Sequence, residues 1–134
     1  MLMAIDPGKD KIGIAIYDPE EDLIIYRDII PAEEFEKRLL LYKKEYNVQS
    51  AIIGDGTFSN KIVKQVKTKV PSMEVKIIDE SYSTLEARRL YFKIKPPKGW
   101  RRLLPISMQT PKEPVDDLVA VVLLERSLGK MPKI

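Results

Sequence analysis

Acidic side chains are the main chemical resource of this 134-residue chain, which holds no histidine and no cysteine. That absence removes thiol nucleophiles, Ser-His-Asp triads and the usual zinc ligands together. Catalysis must then rest on carboxylates, Lys, Tyr or hydroxyls. The carboxylates stand in telling places. Asp6 closes the apolar run Leu2 to Ile5, Asp55 follows Ala51-Ile52-Ile53, Asp79-Glu80 follow Glu74 to Ile78, and Asp116-Asp117 open the last apolar segment. Gathered carboxylates repel and raise one another's pKa unless a cation neutralises them. With oxygen ligands alone the expected cofactor is hard, Mg²⁺ or Mn²⁺. Two such ions about 4 Å apart can activate water and stabilise the leaving oxygen of a phosphodiester.

A second resource is positive charge. Arg88 to Lys112 contains eight basic residues (Arg88, Arg89, Lys93, Lys95, Lys98, Arg101, Arg102, Lys112) and no acidic one. A basic run is commonly only a solvated face. This one interleaves Tyr91, Phe92 and Trp100, a pattern suited to phosphate contacts with base stacking. Arg88, Arg89, Lys98, Trp100, Arg101 and Arg102 are therefore the candidate nucleic-acid contacts, and Lys9 and Lys11 beside Asp6 add two more. Trp100 can alternatively pack its loop onto the body.

Composition fits one globular unit. Hydrophobic residues make up 44% and charged ones 32%, with a formal net charge of +3. The length allows a real core in a single domain over residues 1–134. The longest apolar run, Leu118 to Leu124, is too short to span a membrane. Only five residues precede Asp6, so no secretory segment is expected and a cytoplasmic location is.

The elements that would position these residues follow from periodicity. Leu2 to Ile5 and Ile12 to Tyr17 flank a Pro7-Gly8 turn and predict an antiparallel hairpin, with Gly8 taking a backbone geometry that other residues resist. Asp22 to Ile29 completes a meander. Ala32 to Tyr46 places Phe35, Leu39, Tyr42 and Tyr46 at helical spacing. Ser50 to Asp55 is a fourth strand, Ser59 to Lys69 a Lys-rich helix and Glu74 to Ile78 a fifth strand. Ser83-Thr84-Leu85-Glu86 reads as a capping box opening a third helix that stops before Pro96-Pro97. A loop to Pro114 precedes a last helix from Val115 to Leu128. Helical crossovers imply an α/β fold in which strands 1 to 3 are antiparallel and strands 4 and 5 parallel strand 1. Three parallel strands would then bring Asp6, Asp55 and Asp79-Glu80 to one carboxyl edge, where open α/β sheets bind ligands. Successive strand residues face opposite sides, so Asp79 should point away from Glu80.

Three blocks carry a family resemblance: Ile5-Asp6-Pro7-Gly8 through Gly13-Ile14-Ala15, Asp79 through Arg88, and Val115-Asp116-Asp117 with Ala120 and Leu123-Leu124-Glu125. Together they resemble the YqgF family, collinearly over essentially the whole chain. YqgF proteins are RuvC-like, with an RNase H-like fold. The resemblance implies Asp6, Glu80 and Asp116 as catalytic residues and metal ligands, with Asp117 as neighbour or substitute. It also implies a Mg²⁺- or Mn²⁺-dependent nuclease, described for the family as a Holliday-junction resolvase or as the enzyme that matures the 5′ end of pre-16S ribosomal RNA. Without it, two acids in a helix's first turn need only complement the macrodipole. There are departures. The family has Arg directly after the Glu, where this chain has Ser81, and often Gly-x-Pro after the fourth strand, where this chain has Gly54-Asp55-Gly56. Glu113-Pro114 replaces a basic approach to the last Asp. Asp55 reads as a loop acid supporting the ligands.

Among substrates, RNA is favoured over branched DNA. A resolvase needs two symmetric sites, and no spare apolar helix face is evident for a large interface, so a monomer or weak homodimer is expected. Aromatics among Arg and Lys suit the splayed bases of single strands. Two other classes are a non-catalytic nucleic-acid-binding module, against which the retention of all three acids argues, and an actin-like nucleotide-binding fold, which needs about twice this length.

Overall fold

The computed structural model describes residues 1–134, apart from the side chain of Ser107. Its strands are β1 (Leu2–Asp6), β2 (Lys11–Asp18), β3 (Leu23–Pro31), β4 (Ser50–Gly54) and β5 (Glu74–Ile78). Its helices are α1 (Phe35–Tyr46), α2 (Ser59–Lys69), α3 (Ser83–Ile94) and α4 (Asp116–Leu128). The sheet runs β3-β2-β1-β4-β5. β1 to β3 form the expected antiparallel meander, and β4 and β5 run parallel to β1.

Alternation along β1 and β2 decides which helix packs where. One face carries Met3, Ile5, Ile12, Ile14 and Ile16, and packs with Phe35, Leu39 and Tyr42 of α1 and Ile62 and Val66 of α2. The opposite face is nearly bare at Ala4, Gly13 and Ala15, and there α4 lies close to the sheet. Leu118 to Leu124 of α4 are all buried. A helix apolar all round must be enclosed, and the small residues beneath it make the room. Among the described residues no helix is long and apolar enough to cross a membrane.

Three local expectations change. Gly8 does not adopt a left-handed backbone. It is needed for space, because a Cβ there would strike the Lys11 carbonyl as the turn closes. The Ser83 capping box does not form: α3 starts after Tyr82, whose φ is 60°, with no side-chain cap. Ser83 is buried and its N–H donates to the Glu80 carbonyl at 3.0 Å, while Arg126 takes the Glu86 carboxylate at 3.2 Å. Tyr91 and Phe92, read as stacking residues, are largely buried instead. They pack edge to face, 5.1 Å between centroids, within the core beneath α3 and α4.

Candidate active site

Asp6 ends β1 directly opposite Gly13 of β2. A Cβ at Gly13 would collide with the backbone carbonyl of Asp116, so the first turn of α4 rests on bare β2 backbone. This contact places Asp116 where its charge acts on Asp6, across most of the sequence. Burial, then the charges of Glu80 and Asp116, push the Asp6 carboxyl up to about 7. Asp117 is turned elsewhere and pairs with Arg27 of β3 at 3.8 Å. Its carboxyl is also raised, chiefly by burial, with Arg27 opposing the rise.

Glu80 sits two residues past β5 in a loop held from several sides. Its N–H donates to Asp55 Oδ1 at 3.1 Å. Its carboxylate lies over Gly54 and Gly56, where a Cβ on either glycine would run into a carboxylate oxygen. The Gly54-Asp55-Gly56 segment is thus a cradle for this acid, and Asp55 supports it from behind. Asp79 accepts from the Ser81 N–H at 3.0 Å and Oγ at 2.8 Å. Where the family places Arg after the Glu, the guanidinium reaching this loop comes from α4: Arg126 donates to the carbonyls of Asp79 at 2.7 Å and Ser81 at 2.6 Å. Burial, followed by the charges of Asp55 and Asp79, raises the Glu80 pKa.

Glu80 Oε2 is buried and has no hydrogen-bond partner. Such an oxygen costs free energy until a donor or cation meets it. Among the described residues the acids do not close into a group of three or more tight enough to hold an ion as they stand. The donor set is nonetheless all oxygen, and an unpartnered buried carboxylate oxygen beside a carboxyl pushed towards neutrality is an arrangement that a hard cation would relieve.

The basic segment forms a separate wall. Short 3₁₀ turns at Gly99–Leu103 and Ile106–Met108 fold over a groove of about 710 Å³. Tyr91, Phe92, Pro96, Trp100 and Met108 line it, with Lys95, Lys98, Arg101 and Lys112 among its basic residues. Trp100 is 68% exposed, and the Arg101 guanidinium lies 5.9 Å from its ring centroid. Trp100 therefore does not pack its loop down. Arg88, Arg89, Lys98, Arg101 and Arg102 are exposed, as are Lys9 in the β1–β2 turn and Lys11 at the start of β2, and among the described residues none of the seven enters an ion pair. Lys95 is engaged by Glu113. Leu103, at 82% exposure, and Met108 add apolar surface. Glu113 on the groove wall stands three residues before Asp116, so groove and carboxylates lie within about 11 Å along the chain.

Sequence reasoning missed Arg126, Arg27 and the glycine cradle. It also missed Tyr82, an aromatic two residues after Glu80 that is 81% exposed in a left-handed backbone. Its position beside Glu80 was the available signal.

A family model described as "RuvX: Holliday junction resolvase" matches residues 1–130. The chain belongs to the RuvX (YqgF) family. A curated RuvX-family relative from Dictyoglomus turgidum, named "Putative pre-16S rRNA nuclease", is 33% identical over 104 residues, covering 66% of this chain and 72% of its own. A Bacteroides fragilis protein of the same name is 26% identical over 99 residues, with the same coverages. Among solved structures, Fowlpox virus resolvase in complex with its Holliday junction DNA superposes with a TM-score of 0.57 at 14% identity, over 96% of this chain and 94% of that one. Thermus thermophilus RuvC gives 0.52 at 9%, over 98% of both. At these identities the structural likeness establishes the RuvC-like, RNase H-like fold.

Proposed function

We propose that this RuvX-family chain is a metal-dependent endonuclease that hydrolyses phosphodiester bonds in ribosomal RNA precursors in the cytoplasm. The observation that supports this reading is the buried, unpartnered Glu80 Oε2, with Glu80 and Asp116 both near enough for their charges to act on the Asp6 carboxyl. Those three residues would hold Mg²⁺ or Mn²⁺, which when bound supplies an activated water and charge stabilisation of the leaving oxygen. The chain's own part is to place the carboxylates. Gly13 admits Asp116, the Gly54–Gly56 cradle and Asp55 aim Glu80, and β1 fixes Asp6 between them. Arg101, Arg102 and Lys98 offer phosphate contacts on the adjoining wall, with the exposed Trp100 ring, beside Arg101, offering a surface for an unpaired base. The names of the curated relatives point to the same substrate.

The family description favours a second reading, a four-way DNA junction. The deciding assay presents purified protein and Mn²⁺ or Mg²⁺ with a pre-16S leader and with a synthetic junction. Faster cutting of the RNA is expected. Paired symmetric nicks in the junction with inert RNA would reverse the substrate.

A further inference from the structure

We propose that Arg126 is a positioning residue that locks Glu80 in its working orientation by clasping the peptide units on either side of it. This rests on the reading of Glu80 as a working acid of the cleft. The guanidinium donates through Nη1 to the Asp79 carbonyl at 2.7 Å and through Nη2 to the Ser81 carbonyl at 2.6 Å. Those residues immediately precede and follow Glu80. Nη2 also meets Glu86 Oε1 of α3 at 3.2 Å. One planar fork therefore ties α4, the Glu80 loop and α3 together.

The loop needs such a tie. It lies beyond the end of β5, contains Tyr82 at φ 60°, and carries a carboxylate that is half-buried without a hydrogen-bond partner for Oε2. A non-glycine residue in the left-handed region costs of order 1–3 kcal/mol and persists only where its surroundings over-determine it. An unpaired carboxylate oxygen adds a force towards solvent. Asp55 restrains the loop from the β4 side through one backbone bond, and Arg126 restrains it from the α4 side through two. Arginine suits the task because its donors sit in a rigid planar array, whereas an ammonium is a single rotatable point.

The clasp also links two acids. α4 begins with Asp116, seated on Gly13, and bears Arg126 near its other end. A stiff, enclosed helix thereby sets the spacing between Asp116 and the Glu80 loop. Arg126 touches the backbone flanking the acid rather than the carboxylate itself, so its effect should be on turnover and on ion affinity rather than on substrate docking.

The test compares Arg126→Ala, Arg126→Lys and Glu86→Gln in the full-length protein. Three readouts are used: steady-state cleavage, Mn²⁺ affinity by calorimetry, and hydrogen exchange of the Glu80 and Ser81 amides. Arg126→Ala is expected to lower kcat about 10–100-fold with KM changed less than threefold. It should also weaken Mn²⁺ binding and speed exchange of both amides. Arg126→Lys should recover only a small part of each, and Glu86→Gln should stay within about twofold of wild type. Unchanged exchange and unchanged Mn²⁺ affinity in Arg126→Ala would overturn the proposal. So would a loss confined to KM or to the salt dependence of binding, which would make Arg126 a substrate contact, and so would full rescue by Lys. If the wild-type protein cuts no nucleic acid, the nuclease reading fails while the amide exchange still decides the clasp.

Discussion

The carboxylate cleft and the basic wall lie side by side but are built by opposite means. In the cleft, close approach does the positioning. Three glycines leave room where a Cβ would collide, and Asp55 and Arg126 bond the loop backbone around Glu80. In the wall, Gly99 has nothing within 4 Å of where a Cβ would stand, and Trp100, Leu103 and Met108 face solvent. Hydrolysis needs acids fixed to a fraction of an ångström, whereas contact with a flexible strand needs only charge and ring faces within reach.

The sharpest way to break that contrast is to remove the acids singly. Asp6→Asn, Glu80→Gln and Asp116→Asn should each abolish cleavage while circular dichroism shows an intact fold. Asp117→Asn should cost far less, because Asp117 faces Arg27. Full activity in Asp6→Asn would end the carboxylate mechanism, and a reversed order of the last two would exchange their roles.

A pair of glycine substitutions tests packing against openness. Gly13→Ala must push α4 off β2 and should destabilise by about 1–3 kcal/mol in urea unfolding, with cleavage falling further than stability. Gly99→Ala meets only left-handed strain at φ 64°, about 1–2 kcal/mol, and should leave turnover intact. Equal losses of turnover would erase the distinction between the two regions.

Replacing Arg101 and Arg102 with Ala should weaken binding and lower the slope of log K against log salt by about 0.7–0.9 per lost phosphate contact. Mn²⁺ affinity should not move. An unaltered slope would reduce the wall to scaffolding.

The smallest effect expected is on stability without metal. Asp6 titrates near 7 when folded against an ordinary 3.8, so the folded state holds its proton more tightly. The stability this gives is complete below about pH 4 and is lost as pH rises through 7. Asp6→Asn should therefore raise the melting temperature at pH 8, by on the order of 5 °C, and the gain should vanish near pH 4. A gain that persists at pH 4 would place its origin outside this carboxyl.

Much of this was legible in residue order. Alternation in β1 and β2, helical spacing in α1 and the acids at strand ends specify local structure and its direction, and the α/β topology follows from crossovers. What stayed hidden depends on contacts between distant segments. Arg126 looks like any basic residue near a helix end until α4 is laid against the Glu80 loop. Gly54 and Gly56 read as a strand stop, although their function is to leave space for a carboxylate from another segment. Ser83 to Glu86 has the spacing of a capping box, but α3 starts one residue earlier, after Tyr82, and the Glu86 carboxylate pairs with Arg126. Tyr91 and Phe92 share a stretch with Arg and Lys, yet their positions on α3 leave them largely buried.

The bare stripe of Ala4, Gly13 and Ala15 also makes the cleft depend on the far end of the chain. It lies in β1 and β2, and the helix that covers it follows roughly a hundred residues later in the chain. A chain cut short before α4 would therefore leave Asp6 without the charge of Asp116 and the bare strand face without its cover.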